Sequence, residues 1–167
     1  MRALNTTGAP IIFNFAIYKM SNIKIISQYI QSLQFELPSA PQVFLHPQDK
    51  PNIALSIDID AKKIAEELFE ITLKISANAT TADSPFFNCK LAYAGLFSLQ
   101  KIEGDMLEQI LLIYCPNLLF PFLRRIVTNI TSDAGLAPLM LDPIDFADLY
   151  NRRKALGDAT PINDTIN

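Results

Sequence analysis

From Ile23 onward the chain alternates. The odd positions Ile23, Ile25, Ser27, Tyr29, Gln31, Leu33, Phe35 and Leu37 stand against Lys24, Gln28, Ser32, Gln34 and Glu36, predicting a strand whose odd side is buried. Pro38 and Pro41 end it. A second strand is read where Ile53, Leu55, Ile57 and Ile59 alternate with Ala54, Ser56, Asp58 and Asp60. The third is the clearest, with Phe69, Ile71, Leu73, Ile75, Ala77 and Ala79 on one face and Glu70, Thr72, Lys74, Ser76, Asn78 and Thr80 on the other. Thr81-Ala82-Asp83-Ser84-Pro85 has turn chemistry, so the strand from Phe86 to Leu99 is expected to return antiparallel as a hairpin. In it Phe87, Cys89, Leu91 and Tyr93 share a face opposite Asn88, Lys90 and Ala92, and Gly95 marks a bend or a close backbone approach.

After Glu103-Gly104-Asp105 the period changes to that of a helix. Met106, Leu107, Ile110, Leu111 and Tyr114 fit one helix; Pro116 opens another, whose apolar positions Leu119, Phe120, Leu123, Ile126, Val127 and Ile130 precede a stop at Ser132-Asp133-Ala134-Gly135. Arg124 and Arg125 take its exposed side or reach a partner. A loop from Pro138 to Pro143 leads to a last helix from Asp145 to Leu156, bearing Phe146, Leu149, Tyr150 and Leu156. Strands in succession and then helices read as α+β: a four-stranded antiparallel sheet, a long helix and a short C-terminal helix. Residues 1–22 read as an extension expected to be disordered, 23–156 as the folded domain, and 157–167 as a flexible polar tail. The helix from Asn117 is apolar on more than one side, Leu118 and Phe122 included. Such a helix is covered either by an ordinary monomer core or by association of subunits.

Composition narrows the chemistry. The 167 residues carry 14 Lys+Arg against 17 Asp+Glu, a net charge of −3, which lacks the basic face a nucleic-acid binder needs. One histidine, His46, and two cysteines, Cys89 and Cys115, are too few for a His-rich or closed zinc site, and read as free thiols of a reducing compartment. Cys89 in mid-strand and Cys115 inside an apolar run are expected to be inert buried thiols rather than nucleophiles served by His46. The pairs Asp58/Asp60 and Glu66/Glu67 read as solvated charge rather than as a hydrolase dyad or metal site. No GxxxxGK[ST] or GxGxxG run is present to cradle a nucleotide. The apolar stretch from Ile110 to Leu123 is broken by Cys115-Pro116-Asn117 and Pro121, and is shorter than the roughly 20 residues a bilayer requires, so no transmembrane helix is expected. The apolar patch from Pro10 to Tyr18 includes Asn14 and no small-x-small site follows it, a poor signal peptide. What remains is a binding surface: Val43, Phe44 and Leu45 between prolines, with Phe146, Leu149 and Tyr150 available to line a groove edged by strand backbone.

Four stretches carry a family resemblance. Phe35-Glu36-Leu37-Pro38-Ser39-Ala40-Pro41 with Val43-Phe44, then Gly95-Leu96-Phe97-Ser98, then Tyr114-Cys115-Pro116-Asn117-Leu118-Leu119-Phe120-Pro121-Phe122, and Pro143-Ile144-Asp145-Phe146 with Leu149 and Tyr150, resemble in order and spacing the SecB family of protein-export chaperones. The resemblance runs from Lys24 to Leu156. It implies a cytoplasmic homotetramer, a dimer of dimers, that holds unfolded preproteins and passes them to SecA, with no cofactor, no catalytic step, no nucleic acid and no membrane insertion. It implies a client groove made by the proline-rich crossover, its neighbouring strand and the last helix, for which Val43, Phe44, Leu45, Ile53, Leu55, Phe146, Leu149 and Tyr150 are the candidates. Contacts between subunits are implied for Cys89, Leu91 and Tyr93 and for Leu118, Leu119, Phe120, Phe122, Arg124 and Arg125. SecA contacts are implied for Ser32, Glu36, Asn88 and Lys90. The chain departs from the family in having no Trp in the crossover, and in placing Ser32, Asn88 and Lys90 where better-known members have an acid, an apolar residue and an acid. The alternative is a SecB-like oligomeric chaperone or scaffold with a non-export partner, such as a toxin–antitoxin system.

Overall fold

The computed structural model describes residues 22–45, 50–81, 84–156 and 162–166. The expected N-terminal extension and His46 therefore lie almost wholly outside the described residues. Four long strands, β1 (Ile23–Glu36), β2 (Asn52–Ala65), β3 (Leu68–Thr81) and β4 (Ser84–Leu99), form an antiparallel sheet, as the alternation predicts. A short fifth strand, β5 (Ile162–Ile166), pairs antiparallel with β2, so the spatial order is β1-β4-β3-β2-β5. Residues 162–166 of the polar tail thus form a strand, while 157–161 and 167 lie outside the described residues; the outer backbone of β2 offers this strand a ladder of unpaired donors and acceptors. Because β1 and β2 stand on opposite sides of the β3–β4 hairpin, the proline-rich segment between them crosses from one side of the sheet to the other. A 3-10 turn, Gln42–Phe44, pins that crossover through the buried side chain of Val43.

One face of the sheet is covered. Ile71, Leu73, Cys89 and Phe97, all odd-numbered, are wholly buried there, together with Leu119, Leu123 and Val127 of the long helix. Gly95 is a point of close approach: a Cβ at this position would lie 2.7 Å from Leu119 Cδ2 and from the Phe97 ring. The expected close approach is therefore between β4 and the helix, and any larger side chain would hold them apart.

In β1 the simple alternation fails. Its register against β4 slips between Ile25 and Ser27 and again between Ile30 and Ser32, leaving Ile26 and Gln31 without cross-strand partners. Each bulge flips the parity of the strand. Ile25, Gln28, Ile30, Leu33 and Phe35 stand opposite odd residues of β4 and share the covered face, whereas Ser27, Tyr29, Ser32, Gln34 and Glu36 stand opposite even residues on the open face. Tyr29, expected inside, instead reaches past Ala94 to donate a hydrogen bond to Glu70 Oε2 at 2.8 Å.

The two helices expected on either side of Cys115 are one helix, α1 (Asp105–Asp133), of 29 residues. A wide π turn over Ile110–Tyr114 joins its halves, with the Cys115 N–H donating to the Ile110 carbonyl. Pro116 explains the widening: it lacks an N–H, and its ring crowds the preceding turn of a regular helix. Asn117 Nδ2 donates to the Ile113 carbonyl at 2.9 Å, supplying a side-chain donor in this irregular stretch. By length and composition α1 could cross a membrane, contrary to the expectation from its interruptions. Its Cys115, Leu119, Leu123 and Val127 side chains are nonetheless fully buried in the protein, the pattern of a core helix. The last helix, α2 (Phe146–Leu156), begins after Asp145, whose carboxylate accepts from the N–H groups of Ala147 and Asp148 at 2.9 and 3.0 Å as an N-cap.

Candidate functional site

Three surface regions stand out among the described residues. The first is a groove of about 560 Å³ lined mainly by apolar groups: Val43 and Phe44 of the crossover, Pro51 and Ile53 leading into β2, Phe86 and Phe87 of β4, and the segment from Gly135 to Leu139. Phe44 is 54 % exposed and Leu45 69 % exposed, in a crossover otherwise held by Val43. Gly135 ends α1 with φ +78° and leaves space for the Phe44 ring, whose nearest carbon would lie 3.2 Å from a Cβ there. Thr131, fully buried, accepts a hydrogen bond from the Leu139 N–H at 2.9 Å and donates back to its own helix, so this wall of the groove is tied to α1.

Of the expected groove residues, Val43, Phe44 and Ile53 line it. Leu45 lies beside it in the crossover, and Leu55 is buried in the core. Phe146, Leu149 and Tyr150 do not line it. Phe146 is only 1 % exposed and meets Phe120 edge-on at 5.9 Å, so this part of α2 is packing rather than groove. Its place is taken by Phe86, Leu136, Pro138 and Leu139, which the sequence reading missed. The signal for Phe86 was Pro85. A proline at the strand start cannot donate to the ladder, and the register slip there leaves Phe86 out of step, so both Phe86 and Phe87 are buried.

The second region is the open face of the sheet. Cross-strand pairing puts Glu36 opposite Asn88, Asn88 opposite Asn78, Gln34 opposite Lys90, and Ser32 opposite Ala92. Ser32, Glu36, Asn88 and Lys90 therefore share one exposed face. Gln34, Glu36, Asn78, Asn88 and Lys90 also surround a hollow of about 160 Å³, in which Gln34 Nε2 donates to Glu36 Oε1 at 2.9 Å. Asp58 and Asp60, on the same face, are engaged by Arg153 and Lys74.

The third region is an uncovered apolar strip. Ile25, Ile30 and Leu33 face the helix side of the sheet but are 39–47 % exposed, because α1 does not extend over β1. Phe122 is also exposed, with its ring stacked on Tyr93 at 6.3 Å. Among the residues expected at subunit contacts, Cys89, Leu91, Tyr93, Leu119 and Phe120 are buried within the chain itself and offer little or no surface. Leu118 and Arg124 are half-buried, and Phe122 and Arg125 are exposed.

Neither thiol is poised for chemistry. Both cysteines are free and buried; burial raises the Cys89 thiol above its ordinary value and pushes that of Cys115 up to about 12, so both remain protonated at neutral pH. With no reactive thiol, the described surface offers an apolar trough and two sheet surfaces, the outline of a binding protein. The model of the family "Preprotein translocase subunit SecB" matches residues 18–156. The chain is 43 % identical over 131 residues to the protein-export protein SecB of Parvibaculum lavamentivorans, covering 78 % of each chain. It is 46 % identical to that of Hyphomonas neptunium, over 77 % of this chain and 76 % of the relative. The fold is also that of a Mycobacterium tuberculosis SecB-like chaperone solved in complex with a peptide of the HigA1 antitoxin (TM-score 0.59, 14 % identity, 75 % of this chain and 92 % of that one). The chain belongs to the SecB family, a family of chaperones and not a class of enzymes.

Proposed function

We propose that this protein is a cytoplasmic holdase that binds unfolded preproteins in the groove beside Phe44, keeps them competent for translocation and delivers them to SecA. Family membership supports the reading, and the groove is the observation that carries it. Burial of apolar groups is non-directional and main-chain hydrogen bonds do not read sequence, so a trough lined by Phe44, Ile53, Phe86 and Leu139 beside a strand suits many extended chains. Delivery engages the open sheet face through Ser32, Glu36, Asn88 and Lys90. Assembly as a dimer of dimers covers the strip of Ile25, Ile30, Leu33 and Phe122, together with Leu118, Arg124 and Arg125, because exposed apolar groups of this size on an open strand edge otherwise invite indiscriminate pairing.

Light scattering tests the reading directly. The purified chain, alone and mixed with a chemically unfolded signal-bearing preprotein, is expected to form a tetramer and then a soluble complex, and to ignore the same preprotein once folded. Indifference to the unfolded chain would overturn it. Lys90 favours a second reading, in which the sheet face meets a partner other than SecA, since it places a cation beside Asn78 and Asn88. Binding of SecA by the unaltered chain, strengthened or weakened by Lys90→Glu, excludes that reading; no binding by either form favours it.

A further inference from the structure

The sheet has two edges, and the chain closes one of them with its own C-terminal part. β5 lies along β2 with Ile166 opposite Ile53 and Ile162 opposite Ile57. The cover then continues by a different means. Arg153 of α2 pairs with Asp58, and its Nη1 donates to the Ile59 carbonyl at 3.4 Å. From Ile53 to Ile59 the backbone of β2 is thus accompanied by the tail and then by a guanidinium. This is also the strand that enters the groove, since Pro51 and Ile53 line it. A ladder of main-chain hydrogen bonds accepts any extended polypeptide, so the backbone of a client offers β2 the same groups as β5 does.

We infer that β5 is a resident strand on the client-binding edge of β2, and that an extended client segment must displace it, pairing of Ile53–Ile57 with tail and with client being mutually exclusive. The inference rests on the holdase reading above and adds a threshold to it. Arg153 anchors the end of α2 beside Asp58, a short stretch of chain before Ile162, so the tail competes at an effective concentration on the order of millimolar. A client segment that offers only backbone cannot match that concentration. One that also buries apolar side chains against Phe44 and Phe86 can. The tail therefore selects segments that are both extended and apolar, which separates unfolded chains from merely flexible polar ones.

Two opposite perturbations test this. Successive N–H groups of a strand point to opposite sides, so Asp164→Pro with Thr165→Pro removes a donor aimed at β2 whichever of the two it is. Titration of a fluorescently labelled unfolded preprotein is expected to show about three- to tenfold tighter binding by this variant, the competent fraction having risen. In the client-free variant, amide exchange at Ile53–Ile57 is expected to accelerate. Conversely, Ser56→Cys with Asn163→Cys places two thiols at opposed register positions. Oxidation is expected to weaken client binding about tenfold, and reduction to restore it. Equal affinity in the unaltered, proline and cross-linked forms would overturn the inference while leaving the holdase reading standing. Failure of the two cysteines to cross-link would also overturn it, and absence of client binding by every form would overturn both.

Discussion

The two edges of this sheet differ in almost every respect. β1 is long, twice bulged and apolar, with Ile25, Ile26, Ile30 and Leu33 exposed, and among the described residues no strand pairs with its outer side. β2 carries alternating Asp58, Asp60 and Lys62 on its open face, and its outer side is taken by β5 and Arg153. Edges left free tend to recruit other strands, and the usual safeguards are charge, bulges or a cover. β2 has a cover supplied by its own chain. β1 has bulges but keeps its apolar groups, a combination suited to a partner of fixed shape rather than to solvent. The contrast fits the different tasks proposed for the edges: a permanent contact on β1, and an exchangeable one on β2.

Charge placed on the β1 strip is expected to have the largest effect. Ile30→Asp with Leu33→Asp is expected to leave the fold intact, since neither residue is buried, and to weaken subunit association by about a hundredfold or more. Light scattering beside circular dichroism would separate dissociation from unfolding. Gly95→Val acts on the support common to both edges. With Leu119 only 2.7 Å from the added carbon, it is expected to destabilise the chain by about 1–3 kcal/mol, read as a lower denaturant midpoint. Phe44→Ala with Leu45→Ala removes the exposed apolar groups of the crossover and is expected to weaken client binding about fivefold without changing the oligomer. The matching pair Phe146→Ala and Tyr150→Ala should instead lower stability, because both side chains are buried.

The alkaline limb tests the core shared by the edges. The Cys115 thiol is raised from 9.0 to about 12 by burial, so between those values the native state holds a proton that the unfolded chain has released. Its contribution to stability is present below pH 9 and is lost as pH rises toward about 12. Cys115→Ala is expected to flatten that fall in chemical-denaturation midpoints measured from pH 8.5 upward. Arg153→Ala has the smallest effect. It is expected to speed amide exchange over Ile53–Ile57 about two- to threefold and to leave β1 unchanged.

Much of the architecture was written in local pattern. Period-2 alternation in β2, β3 and β4 fixed which side chains face the helix, because a sheet with one covered face sorts its residues by parity alone. The run from Tyr114 to Phe122 carried the family. Phe44 could be picked for the groove from its setting, an aromatic between prolines with nowhere obvious to be buried. What pattern could not show depended on contacts distant in sequence. The bulges of β1 are set by register against β4, so Tyr29 and Ile30 exchanged faces. Pro116 widened a helix instead of ending it, because packing against the sheet holds both halves of α1 in line. Phe146 and Tyr150 look like groove residues until α2 docks on α1 and buries them, while Leu136 and Leu139 become groove wall only because Thr131 ties their loop back. Residues 162–166 form a strand only because β2 leaves them an edge. Local sequence determined each element and its apolar face; long-range register and docking decided which apolar residues are left for a partner.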